Sequence, residues 1–214
     1  MTRQLALDLG HRPALQREDF LVAAANRDAV AWIDRWPDWP HFALAIAGPA
    51  GAGKSHLAAV WQARAGAMPA PGPAQVAPHG RYIMDGADRV ADETTFLHLY
   101  NLTAERGGNL LLIARDPPAR WPLRLPDLRS RLAGVPVAQL AAPDDALLAA
   151  VMVKQFADRQ LRPADEVVLY ILARIERSFA AVRRVVAALD KAALSERRPV
   201  TIALAREVLR DQEP

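Results

Sequence analysis

One octet, Gly48-Pro49-Ala50-Gly51-Ala52-Gly53-Lys54-Ser55, constrains this chain more than any other stretch. An apolar run, Phe42-Ala43-Leu44-Ala45-Ile46-Ala47, precedes it and reads as a buried strand, and Leu57 to Ala63 follows with the composition of a helix. Strand, glycine-rich turn and a helix opening on Lys-Ser is the context that a phosphate-binding loop requires. Glycines let the backbone turn its N–H groups inward around a phosphate, and the helix N-terminus adds partial positive charge. In such a loop Lys54 reaches the β- and γ-phosphates and the Ser55 hydroxyl takes one Mg²⁺ position. A Gly/Ala-rich turn matches by accident in on the order of one chain in a hundred. The stretch predicts a nucleotide site.

Bulk properties bound the rest. A chain of 214 residues is long enough for a core domain plus a small one. The formal net charge is +3, with a sequence pI near 9.7. That is too mild to mark a duplex-DNA binder. There is no cysteine, which excludes disulfides and thiolate metal sites. The N-terminus lacks the apolar core of a signal peptide and no apolar run has the length of a membrane span, so the expectation is a soluble cytoplasmic protein without membrane contact.

In chain order, Gln4-Leu5-Ala6-Leu7-Asp8-Leu9 alternates partly before Gly10 and Pro13 cut it. Pattern alone reads it as an edge strand or as an exposed peptide with a glutamine anchor and leucines for an apolar groove. A helix follows from Asn26, its expected N-cap, to Arg35, and the tryptophans and prolines of Trp36 to Pro40 stop it. Aromatic packing over the helix end is the expected role of that pair. Gly66 to Gly80 is a loop by composition, with at most a brief strand around Gln75-Val76. Arg81-Tyr82-Ile83-Met84-Asp85 reads as a second buried strand ending in an acid, the position from which phosphate-loop proteins hold Mg²⁺. Self-hydrolysing ATPases often carry a second acid next; here Gly86 follows, and Asp88 comes two positions late. Asp92 caps a helix carrying Phe96, Leu99 and Tyr100 on one face, with His98 on its surface. Asn109 to Ala114 is a third buried strand, closed by Arg115-Asp116-Pro117-Pro118. In Leu125-Pro126-Asp127-Leu128-Arg129-Ser130-Arg131-Leu132 the default is a solvated helix face. A short helix with an exposed arginine is also how one subunit places positive charge against another subunit's γ-phosphate. Val135-Pro136-Val137 reads as the last strand. From Pro143 the pattern is wholly helical, in four segments: Asp144 to Arg159, Pro163 to Arg177, Ser178 to Ser195 and Thr201 to Asp211.

The order of phosphate loop, acid-ended strand, third strand, arginine helix and helical lid resembles that of AAA+ ATPases. The strings Phe20-Leu21-Val22 with Asn26, Gly48 to His56, Phe96 to Asn101 and Leu125 to Leu132 are similar to the DnaA family of replication initiators and closer still to its short Hda-like branch, as are Leu189-Asp190-Lys191-Ala192 and Pro199-Val200-Thr201-Ile202. The resemblance implies an α/β AAA+ core, a parallel sheet flanked by helices, followed by a small four-helix lid. It divides the chain into a tail (1–17), a nucleotide-binding domain (18–142) and a lid (143–214). It implies that Gln4, Leu5, Leu7 and Leu9 bind the DNA polymerase sliding clamp. It also implies that Phe20, Leu21 and Val22 lie against adenine. Gly48, Gly51, Ala52, Gly53, Lys54, Ser55, His56 and Asp85 would hold ADP or ATP, with Mg²⁺ at Ser55 and Asp85. Arg131 would act as a trans arginine finger on ATP held by DnaA. The implied function is to stimulate hydrolysis of that ATP and prevent re-initiation, with DNA contacted only through the clamp and a homo-oligomer possible in principle.

The chain departs from the pattern at Gly86, at Ile113-Ala114-Arg115 where a polar sensor is usual, and at Ala180 where many relatives carry a lid arginine. These departures predict weak or no intrinsic ATPase activity while leaving Arg131 untouched. The competing readings are a helicase-loader-like AAA+ protein and a stand-alone phosphate-loop ATPase or kinase.

Overall fold

The computed structural model describes residues 21–210. They form two units, divided between Ala142 and Pro143. In the first, a five-stranded parallel sheet runs in the order β2-β3-β4-β1-β5. Its strands are β1 (Ala43–Ala47), β2 (Met68–Pro69), β3 (Arg81–Asp85), β4 (Asn109–Ala114) and β5 (Val137–Gln139). The helices are α1 (Arg27–Arg35), α2 (Lys54–Ala65), α3 (Glu93–Glu105) and α4 (Pro126–Ala133).

The two-residue period of a strand sorts the core. Leu44 and Ile46 of β1 and Leu111 and Ile113 of β4 face one way, into a cluster with Val30 and Ile33 of α1 and Leu57 and Trp61 of α2. Ala43, Ala45, Leu110, Leu112 and Ala114 face the other, against Phe96 and Leu99 of α3 and Leu128 and Leu132 of α4. With both faces covered, every β1 residue is buried, which is why that strand reads as a continuous apolar run. Trp39 stacks on the fully buried Trp61 at 5.3 Å and Trp36 meets it edge-on at 6.2 Å, so the tryptophan pair does pack over the end of α1.

Three local expectations shift. The brief strand lies at Met68–Pro69 rather than around Gln75-Val76, where a 3-10 turn spans Pro73–Gln75. Proline supplies no N–H, so pairing here is confined to the sheet edge, with Ala70 N donating to Ile83 O at 2.8 Å. The last strand starts at Val137, although Pro136 still accepts from Ala45 N at 2.9 Å. Asn26 does not cap α1 with its side chain. Buried, it braces the preceding segment instead: Oδ1 accepts from Ala23 N at 2.8 Å and Nδ2 donates to Leu21 O at 2.9 Å.

The second unit packs α5 (Asp145–Ala157), α6 (Asp165–Leu172), α7 (Phe179–Glu196) and α8 (Ile202–Arg210) around Leu148, Met152, Phe156, Ile171, Val182, Val185 and Leu189. Asp144 and Ser178 cap their helices, accepting from Leu147 N at 2.7 Å and Ala181 N at 3.1 Å. Helix α6 ends at Leu172, short of the expected Arg177, so Arg174 to Glu176 belong to a connection. Among the described residues, no helix is long and apolar enough to cross a membrane.

Candidate functional site

The octet is the turn between β1 and α2. Gly51 and Gly53 take φ of 75° and 95°, the left-handed region that favours glycine, and α2 starts directly after Gly53. No side chain caps α2 and no acid sits in its first turn, so its N-terminal donors and dipole face the loop unneutralised. The Lys54 ammonium folds onto the loop, donating to Gly48 O at 2.6 Å and Pro49 O at 2.7 Å. Burial lowers its pKa first and the Arg115 guanidinium lowers it further, while Asp85 and Asp88 pull the other way. This cradle suits a polyphosphate: helix-start amides that no side chain caps, a lysine that could exchange two loop carbonyls for phosphate oxygens, and an exposed Ser55 at the helix start.

Register places the acid. Ile113 of β4 pairs with Asp85 of β3 on one side and Ile46 of β1 on the other, so Asp85 ends its strand level with the start of the loop, at the carboxyl edge of the sheet. Asp88 also belongs to this neighbourhood, which its spacing did not announce. Gly86, at φ 68°, turns the chain into a 3-10 turn over Ala87–Arg89, and Asp88 Oδ2 accepts from Arg115 N at 3.0 Å. The Arg115 carbonyl in turn accepts from Gly48 N at 3.1 Å. The residue at the usual sensor position is thus fixed by its backbone between the acid turn and the phosphate loop, and adds a cation rather than a neutral polar group. His56 is half-buried on α2 and Ala52 is buried in the loop.

The arginine helix is built on the other face of the sheet. Leu128 and Leu132 bury one side of α4, leaving Arg131 exposed at 46%, its Nε donating to Asp127 Oδ1 at 2.9 Å. Only Nε is engaged by a described residue, so the terminal nitrogens that grip phosphate stay available. Tyr100 lies beneath, its hydroxyl donating to Arg131 O at 3.4 Å, and burial raises its pKa. Helix α4 is tied to α3 by Glu93, whose carboxylate accepts from Arg124 N at 2.9 Å and Leu125 N at 2.6 Å. These backbone bonds hold the Glu93 carboxyl below its ordinary value. A depressed carboxyl pKa means that the tie has full strength above the ordinary carboxylate range and is lost as pH falls through the folded-state value. Glu93→Gln is therefore expected to speed amide exchange at Arg124 and Leu125 several-fold at neutral pH. Wild type should approach the variant's rate, corrected for intrinsic exchange, only once the pH falls below the depressed folded-state value. Hydrogen exchange by mass spectrometry or NMR checks both.

Of the remaining expected site residues, Leu21 is half-buried, Val22 is half-exposed and Ala180 is half-buried on α7. Phe20 and the expected clamp peptide with Gln4, Leu5, Leu7 and Leu9 lie outside the described residues.

Sheet order and flanking helices give the core the AAA+ fold. The structure is similar to domain III of the replication initiation protein DnaA from Thermotoga maritima, with a TM-score of 0.72 and 16% identity over 94% of this chain and 97% of that one. It is also similar to AMPPCP-bound DnaA from Aquifex aeolicus, with a TM-score of 0.69 and 16% identity over 94% of this chain and 70% of that one. An uncharacterized protein from Haemophilus influenzae is 30% identical over 118 residues, 55% of this chain and 51% of that protein, so the match spans about half the relative's length. Residues 144–209 match the family model of the Hda lid domain. Residues 144–209 thus resemble an Hda lid domain, and the fold is that of DnaA domain III.

Proposed function

We propose that this chain regulates initiation of chromosome replication by stimulating hydrolysis of ATP held by the initiator DnaA. The observation that carries the reading is α4: a short helix anchored by Leu128, Leu132 and Glu93 that presents the free end of the Arg131 guanidinium. Arg131 stands on a helix of the sheet layer opposite α2, which suits an arginine serving a nucleotide other than its own. Pressed against the partner's γ-phosphate, such a guanidinium stabilises charge that develops as water attacks phosphorus and the bond to the leaving oxygen breaks.

The chain's own loop is the holding site for ADP or ATP. Lys54 and the α2 amides would bind phosphate oxygens, Ser55 and Asp85 would hold Mg²⁺, and Leu21 and Val22, with Phe20, would meet the base. A nucleotide bound there neutralises the loop and fixes its shape. With Gly86 where a second acid is usual, hydrolysis at this site is expected to be slow. AMPPCP in the Aquifex DnaA structure supports nucleotide use by a core of this fold. The N-terminal peptide Gln4 to Leu9 is the proposed anchor to the sliding clamp in the cytoplasm, and through the clamp to DNA.

The test measures hydrolysis of ATP preloaded on the cognate initiator, with clamp on DNA. The full chain should accelerate it, and a chain lacking Met1 to Gly10 should bind nucleotide normally yet lose most of the acceleration. If the full chain binds clamp and leaves hydrolysis unchanged, the proposal fails.

A further inference from the structure

The lid carries a second basic feature. Helix α6, the connection after it, α7 and α8 wall a cleft of about 440 Å³. Arg174, Arg184, Arg206 and Arg210 stand around it, with Glu176 as the lone acid. Ile175 and Leu209, both half-buried, form an apolar floor.

Elsewhere in the lid Arg159 pairs with Asp190 at 3.7 Å, Arg177 with Asp145 at 3.0 Å, and Arg198 with Glu196 at 2.6 Å and with Glu207, while Arg162, Arg183 and Arg197 are exposed singly rather than gathered around a hollow. At the cleft, Arg174 is spent on Tyr170, lying 3.7 Å over its ring and donating to its carbonyl at 3.0 Å. Arg184, Arg206 and Arg210 are exposed and pair with no described residue. Arg210 stands in the last turn of α8, where a cation suits the helix dipole, but Arg184 and Arg206 are interior to their helices and gain nothing from that. Gathering like charges around one hollow opposes folding, and an anionic ligand removes that opposition. The hollow shape and apolar floor suit a side chain more than a phosphodiester backbone, and the chain's net charge of only +3 points the same way. Tyrosine and arginine are also the residues on which protein interfaces concentrate their affinity.

We propose that this cleft docks a short acidic segment of a partner protein, with one apolar side chain on Ile175 and Leu209 and flanking carboxylates on Arg184, Arg206 and Arg210. It stands apart from the phosphate loop and from Arg131 in sequence and uses neither. The test is fluorescence anisotropy with the full chain and a labelled glutamate-rich peptide holding one central leucine. A lysine-rich counterpart and a single-stranded oligonucleotide of equal charge serve as comparison probes. The acidic peptide should bind, weaken steeply with salt, and lose roughly tenfold or more in affinity with Arg184→Gln/Arg206→Gln. Arg177→Gln, whose guanidinium pairs with Asp145 and does not line the cleft, should bind as wild type does. A melting temperature no lower than that of wild type shows that the double variant is folded, and Arg206→Glu alone must act in the same direction. Absence of peptide binding, or equal binding by the double variant, overturns the proposal. So does tighter binding of the oligonucleotide that the double variant abolishes, which would assign the cleft to nucleic acid.

Discussion

Arg131→Ala is expected to leave a chain that folds and keeps its proposed binding of nucleotide and clamp, yet to abolish the proposed acceleration of hydrolysis on the initiator. The size of the effect follows from the chemistry. An arginine delivered in trans is worth about 10³–10⁵ in rate, or roughly 4–7 kcal/mol of barrier. The structural cost is small by comparison, because Arg131 is half-exposed and its one ion pair, to Asp127, is a surface i,i+4 contact. Arg131→Lys separates charge from shape. Lysine keeps the cation but loses the planar fork, so it should recover only a minor part of the rate. The measurement is single-turnover hydrolysis of preloaded ATP. A variant within threefold of wild type would remove α4 from the mechanism.

The second large effect concerns Gly48. Its N–H donates to Arg115 O at 3.1 Å, while the adjacent Ala47 carbonyl accepts from Leu140 N at 2.8 Å. A Cβ at Gly48 would be driven into the Leu140 carbonyl oxygen and stand 3.2 Å from that carbonyl carbon. Backbone closes that space, so no side-chain rotation relieves it. Gly48→Ala must push β1 away from the chain leaving β5, straining the hydrogen bond between them and lifting the root of the loop. Overpacking with one strained buried bond costs about 2–4 kcal/mol, a fall of roughly 5–15 °C in the melting temperature of a chain this size. Nucleotide binding should go with it. Lys54→Ala is the comparator: it removes the phosphate-binding ammonium without touching the backbone, so binding falls while the melting temperature stays within about 2 °C. Normal melting and normal nucleotide binding by Gly48→Ala would sink the argument.

The parts of this architecture that were legible share a physical reason: they are local and strongly patterned. Strands β1 and β4 are covered on both faces and read as unbroken apolar runs, and Asp92, Asp144 and Ser178 are caps whose chemistry lies within three residues. The octet belongs with them, since its glycines are needed for backbone angles that the string itself reveals. What escaped was set by distant partners. Strand β2 is two residues long and exists because Tyr82 and Ile83 offer an edge to pair with. Asp88 enters the phosphate neighbourhood through a bond to Arg115, 27 positions on. Asn26 turned from an expected cap into a brace because Ala23 N and Leu21 O were closer at hand. The arginines of the lid cleft lie on three segments whose convergence no spacing rule encodes.

The alternation of β1 and β4 between two helix layers has a consequence for how the molecule tolerates change. Leu44, Ile46, Leu111 and Ile113 support the layer that opens on the phosphate loop, and their neighbours one step along support the layer that carries Arg131. A single sheet thereby acts as a bulkhead: side chains on one surface can be exchanged and repacked with little disturbance to the other. The glycine-rich loop and the display of Arg131 are then free to drift at different rates within one small chain.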